Sequence, residues 1–127
     1  MELRPPMILI ADNFEIQENG SLNLIGIRHI FESDTFPLIR SVAVYCFLGT
    51  LREQEIEMGL YLESHQTKEE TLLMNSVVET QSLAIPAIIP QVTFAEPGFY
   101  SFQLRVQKKL YAWSRIQVKK SEPKKSS

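Results

Sequence analysis

The sequence predicts an all-β domain, an antiparallel Greek-key β-sandwich of about seven or eight short strands. Three observations predict it. Apolar and polar residues alternate over short runs, as in Ile56–Glu63 and Phe99–Gln107. Turn signals such as Asn19-Gly20 and Pro97-Gly98 separate these runs. No stretch carries the periodicity of a long amphipathic helix. At 127 residues the chain has the size of one domain and can hold a core without disulfides or metal. Residues 1–118 are read as that domain and residues 119–127 as a basic, disordered tail.

Met7–Ala11 follows Pro5-Pro6, is compact and β-prone, and forms the first strand, closed by Asp12. After Asn19-Gly20 a second strand runs from Leu22 to about Phe31, and Gly26 within it marks a bulge or a close backbone approach. Glu32–Pro37 is a loop. Val42–Leu48 is the strongest strand. Val42, Val44, Cys46 and Leu48 point one way, Ala43, Tyr45 and Phe47 the other. Both faces are apolar, so the strand is covered on both sides or meets another subunit. Beyond the connection Gly49–Glu55, the next strand turns Ile56, Met58, Leu60 and Leu62 inward and Glu57, Gly59, Tyr61 and Glu63 outward. Leu72–Val78 fits a strand and two helical turns equally well. Pro86 and Pro90 confine Ala84–Pro90 to an edge or a covered loop, before a short strand Gln91–Phe94. Phe99–Gln107 follows, Lys108-Lys109 turns the chain, and Tyr111–Val118 is the last strand.

Between the last two of these elements and the strand before them, Pro97, Gly98 and Tyr100 form a structural corner. A Pro-Gly turn crosses between sheets, and the tyrosine after it buries its ring while its hydroxyl bonds backbone, as in the tyrosine corner of immunoglobulin-like sandwiches. Together with Ile8-Leu9-Ile10-Ala11-Asp12, the run Asn19-Gly20-Ser21-Leu22 to Gly26-Ile27, and Phe36-Pro37, this pattern resembles a small bacterial family designated domain of unknown function 6941. The resemblance covers roughly residues 7–118, except Glu63–Pro90, which matches nothing in it. It implies a sandwich of immunoglobulin-like or C2-like shape with no established activity, substrate or cofactor.

Little in the chain carries chemistry. Cys46 lies in the most apolar strand and reads as an inert packing residue. His29 lies beside Arg28 and reads as a structural residue, and His65 lies in a polar turn and reads as surface. The five glycines are scattered, so no phosphate-binding loop exists. Asp12, Glu32 and Asp34 sit near strand ends. They would either gather into a calcium-type oxygen cluster or, for Asp12, bond nearby backbone amides, the reading favoured here. The sequence thus predicts no enzyme, no metal and no cofactor.

Thirteen Lys and Arg against fifteen Asp and Glu leave a net charge of −2. Lys119–Ser127 holds four lysines and one glutamate, so the remaining body carries nine basic and fourteen acidic residues, or −5. An acidic body is a poor match for a phosphate backbone, which argues against nucleic acid. The short apolar run Met7–Ala11 is not a secretory signal, no window is long enough for a membrane-spanning helix, and the single cysteine suits the cytoplasm. The expected function is protein–protein interaction by an accessory module that also self-associates, with Tyr61, Tyr111 or Trp113 in the contact patch. The alternative is a small-ligand or carbohydrate pocket at one end of the sandwich, lined by Trp113 or Tyr111.

Overall fold

The computed structural model describes residues 6–47, 55–79 and 84–121. These form nine strands: β1 (Met7–Ile16), β2 (Leu22–Ile27), β3 (Ile30–Ser33), β4 (Leu38–Phe47), β5 (Glu55–Ser64), β6 (Glu70–Glu79), β7 (Ala84–Phe94), β8 (Gly98–Val106) and β9 (Lys109–Lys120). A four-stranded sheet has the order β2-β1-β4-β7, and a five-stranded sheet the order β3-β9-β8-β5-β6. All neighbours are antiparallel except β3, which runs parallel to β9. Among the described residues no helix is long and apolar enough to cross a membrane.

The inward faces of the two sheets share one core. Ile8 and Ile10 of β1, Val42, Val44 and Cys46 of β4, and Val92 and Phe94 of β7 meet Met58, Leu60 and Leu62 of β5, Phe102 and Leu104 of β8, and Ile116 and Val118 of β9. The period-two alternation read from β4, β5 and β8 is the pattern that fills this layer. Phe94 sits at its aromatic centre, with ring centroids 5.0 Å from Tyr100, 5.8 Å from Phe31 and 6.5 Å from Phe102.

Several elements differ from the sequence reading. The first strand does not stop at Asp12 but continues to Ile16, because β2 supplies its partner there. The long second strand is two strands. The chain leaves the four-stranded sheet at Arg28-His29, so His29 lies in a crossover and not in a strand, and β3 joins the other sheet. Leu72–Val78 lies within a strand, β6, paired along β5. Ala84–Phe94 is one edge strand. The extra residue at Pro90-Gln91, where Arg40 pairs Val92 and Val42 pairs Ile89, restores the inward phase for Val92 and Phe94. An edge strand tolerates both prolines, since only one of its sides has ladder hydrogen bonds to lose. Lys119 and Lys120 are not tail residues: they belong to β9 and pair with Glu32 and Ser33. Leu48, the connection 49–54 and the tail from 122 onward lie outside the described residues.

Tyr100 is buried, and its hydroxyl donates to the Glu96 carbonyl at 2.6 Å and accepts from the Glu96 N–H at 3.3 Å. Burial pushes the phenol pKa up. Gly98 opens β8 at φ +148°, and the Gln66 side chain packs where a Cβ would stand. Tyr100→Phe is expected to cost about 1 kcal/mol, because Glu96 is exposed and its backbone regains water. Urea unfolding of the two proteins, with equal m-values, measures it.

Candidate functional site

The alternation that fills the core also decides what the four-stranded sheet shows to solvent. Its outward positions are Met7, Leu9, Ala11, Asn13 and Glu15 on β1, Ile39, Ser41, Ala43, Tyr45 and Phe47 on β4, Ala84, Pro86, Ile88 and Thr93 on β7, and Asn23, Ile25 and Ile27 on β2. Glu15, opposite Asn23 at the far end of β1, is the charged residue among them, and the rows from Met7 to Ala11 hold none. Pairing lines them up in rows: Met7–Phe47–Ala84, Leu9–Tyr45–Pro86, and Ile27–Ala11–Ala43–Ile88. In the last row Ala11 and Ala43 are fully covered by their neighbours, while Ile27 and Ile88 stand 55% and 49% exposed on either side. Met7, Ile25 and Ile39 are exposed as well. Three rows about 7 Å apart across three to four strands about 4.8 Å apart give a flat footprint of about 300 Å², the size of the largest apolar patch on a typical monomer, which is often a functional one.

The residues expected to make contacts lie on the other sheet and are separated by the fold. Trp113 is 60% exposed on the outward face of the five-stranded sheet, opposite Gln103, with exposed Leu110 nearby. Tyr61 shares that face, but its ring lies over Gly59 and under the Arg105 guanidinium, 4.1 Å from the ring centroid. Arg105 in turn donates to Glu70 Oε1 at 2.7 Å and Gln103 Oε1 at 2.8 Å. Tyr111 is the extra residue of a bulge opposite Leu104 and Arg105 and packs against the core. The structure therefore leaves Trp113 open, half-covers Tyr61 and turns Tyr111 away.

Asp12 is neither a strand end nor part of an oxygen cluster. It lies on the inward side of β1, where Arg28 Nη2 donates to its Oδ2 at 2.8 Å and Arg40 Nη2 to its Oδ1 at 2.7 Å. Arg28 Nε reaches both oxygens. The Arg28 hydrogen bond holds the Asp12 carboxyl below the usual carboxylate range, with Arg40 adding to it and partial burial opposing. Gly26, at φ +68°, faces this carboxylate, and a Cβ there would collide with it. The close approach foreseen at Gly26 is thus that of a side chain. Arg40 also stacks on Phe31, 4.2 Å from the ring centroid. Glu32 lines an open cleft of about 410 Å³ with Arg28, Ile30, Phe31 and Arg40. Among the described residues no three His, Cys, Asp or Glu side chains converge as metal ligands.

Two further groups complete the inventory. Cys46 is buried, and desolvation pushes its thiol up to about 12, so it stays protonated and inert. His65 is more than a surface residue: its Nε2 meets the buried Ser101 hydroxyl at 2.5 Å, and its backbone N–H donates to Phe99. That bond ties the β5–β6 turn to β8. A cleft of about 260 Å³ near the corner is lined by Leu62, Ser64, Thr71, Thr93, Glu96 and Tyr100, among others, and neither cleft includes Trp113 or Tyr111. No protein-family model matches the chain, and no curated protein matches it.

Proposed function

We propose that this chain is a non-catalytic, cytoplasmic protein-interaction module that docks through the outward face of its four-stranded sheet. The observation that carries the reading is the uncharged row Ile27–Ala11–Ala43–Ile88 with Met7, Leu9, Tyr45 and Phe47 beside it. Isolated exposed apolar side chains are ordinary on a protein surface, but a contiguous, charge-free group across four strands is not. The finer fold assignment belongs to the same reading. Strand β4 between β1 and β7, strand β8 between β9 and β5, and a bonded Tyr100 at the corner support an immunoglobulin-like Greek key, in which β1, β4 and β7 take the places of strands A, B and E. That shape agrees with the resemblance to the small bacterial family, which we include in the proposal.

The test is capture on immobilised chain, identification of the retained protein, and reconstitution of the complex from purified components. Replacing Ile27 and Ile88 together by Glu is expected to weaken that complex at least tenfold, while Trp113→Ser on the opposite sheet leaves it unchanged. A complex that ignores the double replacement and follows Trp113 removes the reading. Buried charge without a partner is the penalty the double variant exploits.

A further inference from the structure

We infer that β6 is a second docking site, at which an extended basic segment of a partner protein adds as a sixth strand to the five-stranded sheet. Open sheets have edges, and proteins guard them with shortness, prolines, lysines or irregular backbone. Three of the four edges here are guarded. Strand β3 has four residues, β7 carries Pro86 and Pro90, and β2 passes through the left-handed region at Gly26, φ +68°. Strand β6 has ten residues without proline, lysine or arginine, and among the described residues no strand pairs with its far side.

Backbone direction shows what that side offers. The Ser64 N–H of β5 donates to the Glu69 carbonyl, on the β6 side. The Glu57 carbonyl and the His65 N–H instead bond Gln107 and Phe99, on the β8 side. Odd-numbered β5 residues thus direct their backbone groups away from β6, and in an antiparallel ladder the residues opposite them point away in turn. These are Val77, Asn75, Leu72 and Glu70, opposite Glu57, Gly59, Tyr61 and Glu63. The bulge at Leu73 keeps Leu72 in phase with Asn75 and Val77. The Val77 carbonyl accepts from the Ser76 hydroxyl at 3.5 Å, a local bond too long to hold it against a strand N–H. The same residues present their side chains to solvent, with Leu72 51% and Val77 66% exposed, so an added strand sets apolar residues beside them.

Charge defines the rest of the occupant. Opposite Thr71 the added strand turns a side chain inward, because Thr71 pairs with the buried Leu62. Thr71 lines the cleft of about 260 Å³ together with Glu69 and Glu96. Neither glutamate has an ion pair among the described residues, and the body carries −5. The occupant is therefore a strand with apolar residues opposite Val77, Asn75 and Leu72 and a Lys or Arg opposite Thr71. The β6 of a second copy does not fit, since it holds no basic residue.

The probe is the end-blocked peptide Val-Thr-Val-Thr-Val-Lys-Thr, whose valines fall opposite Val77, Asn75 and Leu72 in the antiparallel register. Titrated to about one millimolar into the isotope-labelled full chain, it is expected to give saturable shifts of the Leu72, Asn75 and Val77 amide signals. N-methylation of its valines abolishes them, because those N–H groups donate to β6. Val77→Pro removes an outward N–H and no ladder bond, and weakens binding at least tenfold. Glu69→Gln with Glu96→Gln weakens the lysine peptide several-fold and leaves its Lys-to-Thr analogue unchanged. The chain with Ile27→Glu and Ile88→Glu binds the peptide as before, which separates this edge from the four-stranded face. Circular dichroism establishes that each variant is folded, and the N-methyl comparison needs no variant. Absence of binding, or binding that survives N-methylation, overturns strand addition. Indifference to the two glutamates overturns the basic anchor, and concentration-dependent shifts of the same amides without peptide overturn the partner in favour of a second copy.

Discussion

Replacing Phe94 by alanine is expected to lower the unfolding free energy by about 3–5 kcal/mol, the range for removing a fully buried aromatic side chain. Phe94 has no exposed surface. It is the last residue of β7, paired with Leu38, and its ring touches Phe31 of β3 and Tyr100 and Phe102 of β8. One side chain of the four-stranded sheet therefore anchors two strands of the five-stranded sheet. Truncation removes the transfer free energy of the ring and leaves a cavity between three aromatic rings that tilted and edge contacts hold in place. The neighbouring Thr93→Ala, on an exposed position of the same strand, is expected to change stability by less than about 0.5 kcal/mol. Urea midpoints with unchanged m-values measure both. A Phe94→Ala cost near that of Thr93→Ala would mean that the two sheets are not joined through this residue.

The strands with clean alternation were legible because period-two burial is a local property. Met58, Leu60 and Leu62, and Tyr100, Phe102 and Leu104, need no knowledge of their partners to be placed inside. What was not legible depends on distant pairing. Nothing between Leu22 and Phe31 announces that the chain changes sheets at Arg28-His29, since the partner of β3 is the far end of β9. The β8–β9 turn was missed in register for another reason. It is a two-residue turn with φ of 52° at Gln107 and 69° at Lys108, a conformation usually signalled by Asn or Gly, and neither is present. Pro86 and Pro90 broke one edge strand into two apparent elements, because a proline signals a lost donor without saying on which side of the strand it would have pointed.

The proposed contact face was half legible. The two-sided apolarity of Val42–Phe47 already demanded a second cover, but assembling Met7, Leu9, Pro86 and Ile88 beside Tyr45 needs the order β1-β4-β7, which no single segment contains. The aromatic residues drew attention to the other sheet instead. There, Tyr61 is engaged by Arg105 and Tyr111 by the core, so aromatic identity alone was a poor guide to exposure.

Asp12→Asn is expected to cost about 1–1.5 kcal/mol at neutral pH, above an isolated surface ion pair because two arginines share the carboxylate, and below a buried charged hydrogen bond because Arg28 is half exposed to screening solvent. Its carboxylate closes a network whose partners lie 16 and 28 residues further along the chain, so it fastens the start of the β2–β3 crossover and the first half of β4 to β1. Without it, Arg40 stays stacked on Phe31 with its charge only partly hydrated. The asparagine keeps the shape and one acceptor oxygen, which separates the loss of charge from the loss of packing beside Gly26. The dependence on pH follows from the direction of the Asp12 shift. Hydrogen bonds from Arg28, reinforced by Arg40, lower the folded-state pKa below the ordinary 3.8. The stabilisation is therefore fully present above the unfolded-state pKa and is lost as pH falls through the lower folded-state value. Wild type and Asp12→Asn should accordingly differ most at neutral pH and converge in acid. Parallel stability curves from neutral pH into acid would show that the carboxylate acts only as a spacer, and that the crossover is held by the Arg28 N–H donating to the Ile10 carbonyl and by strand pairing alone.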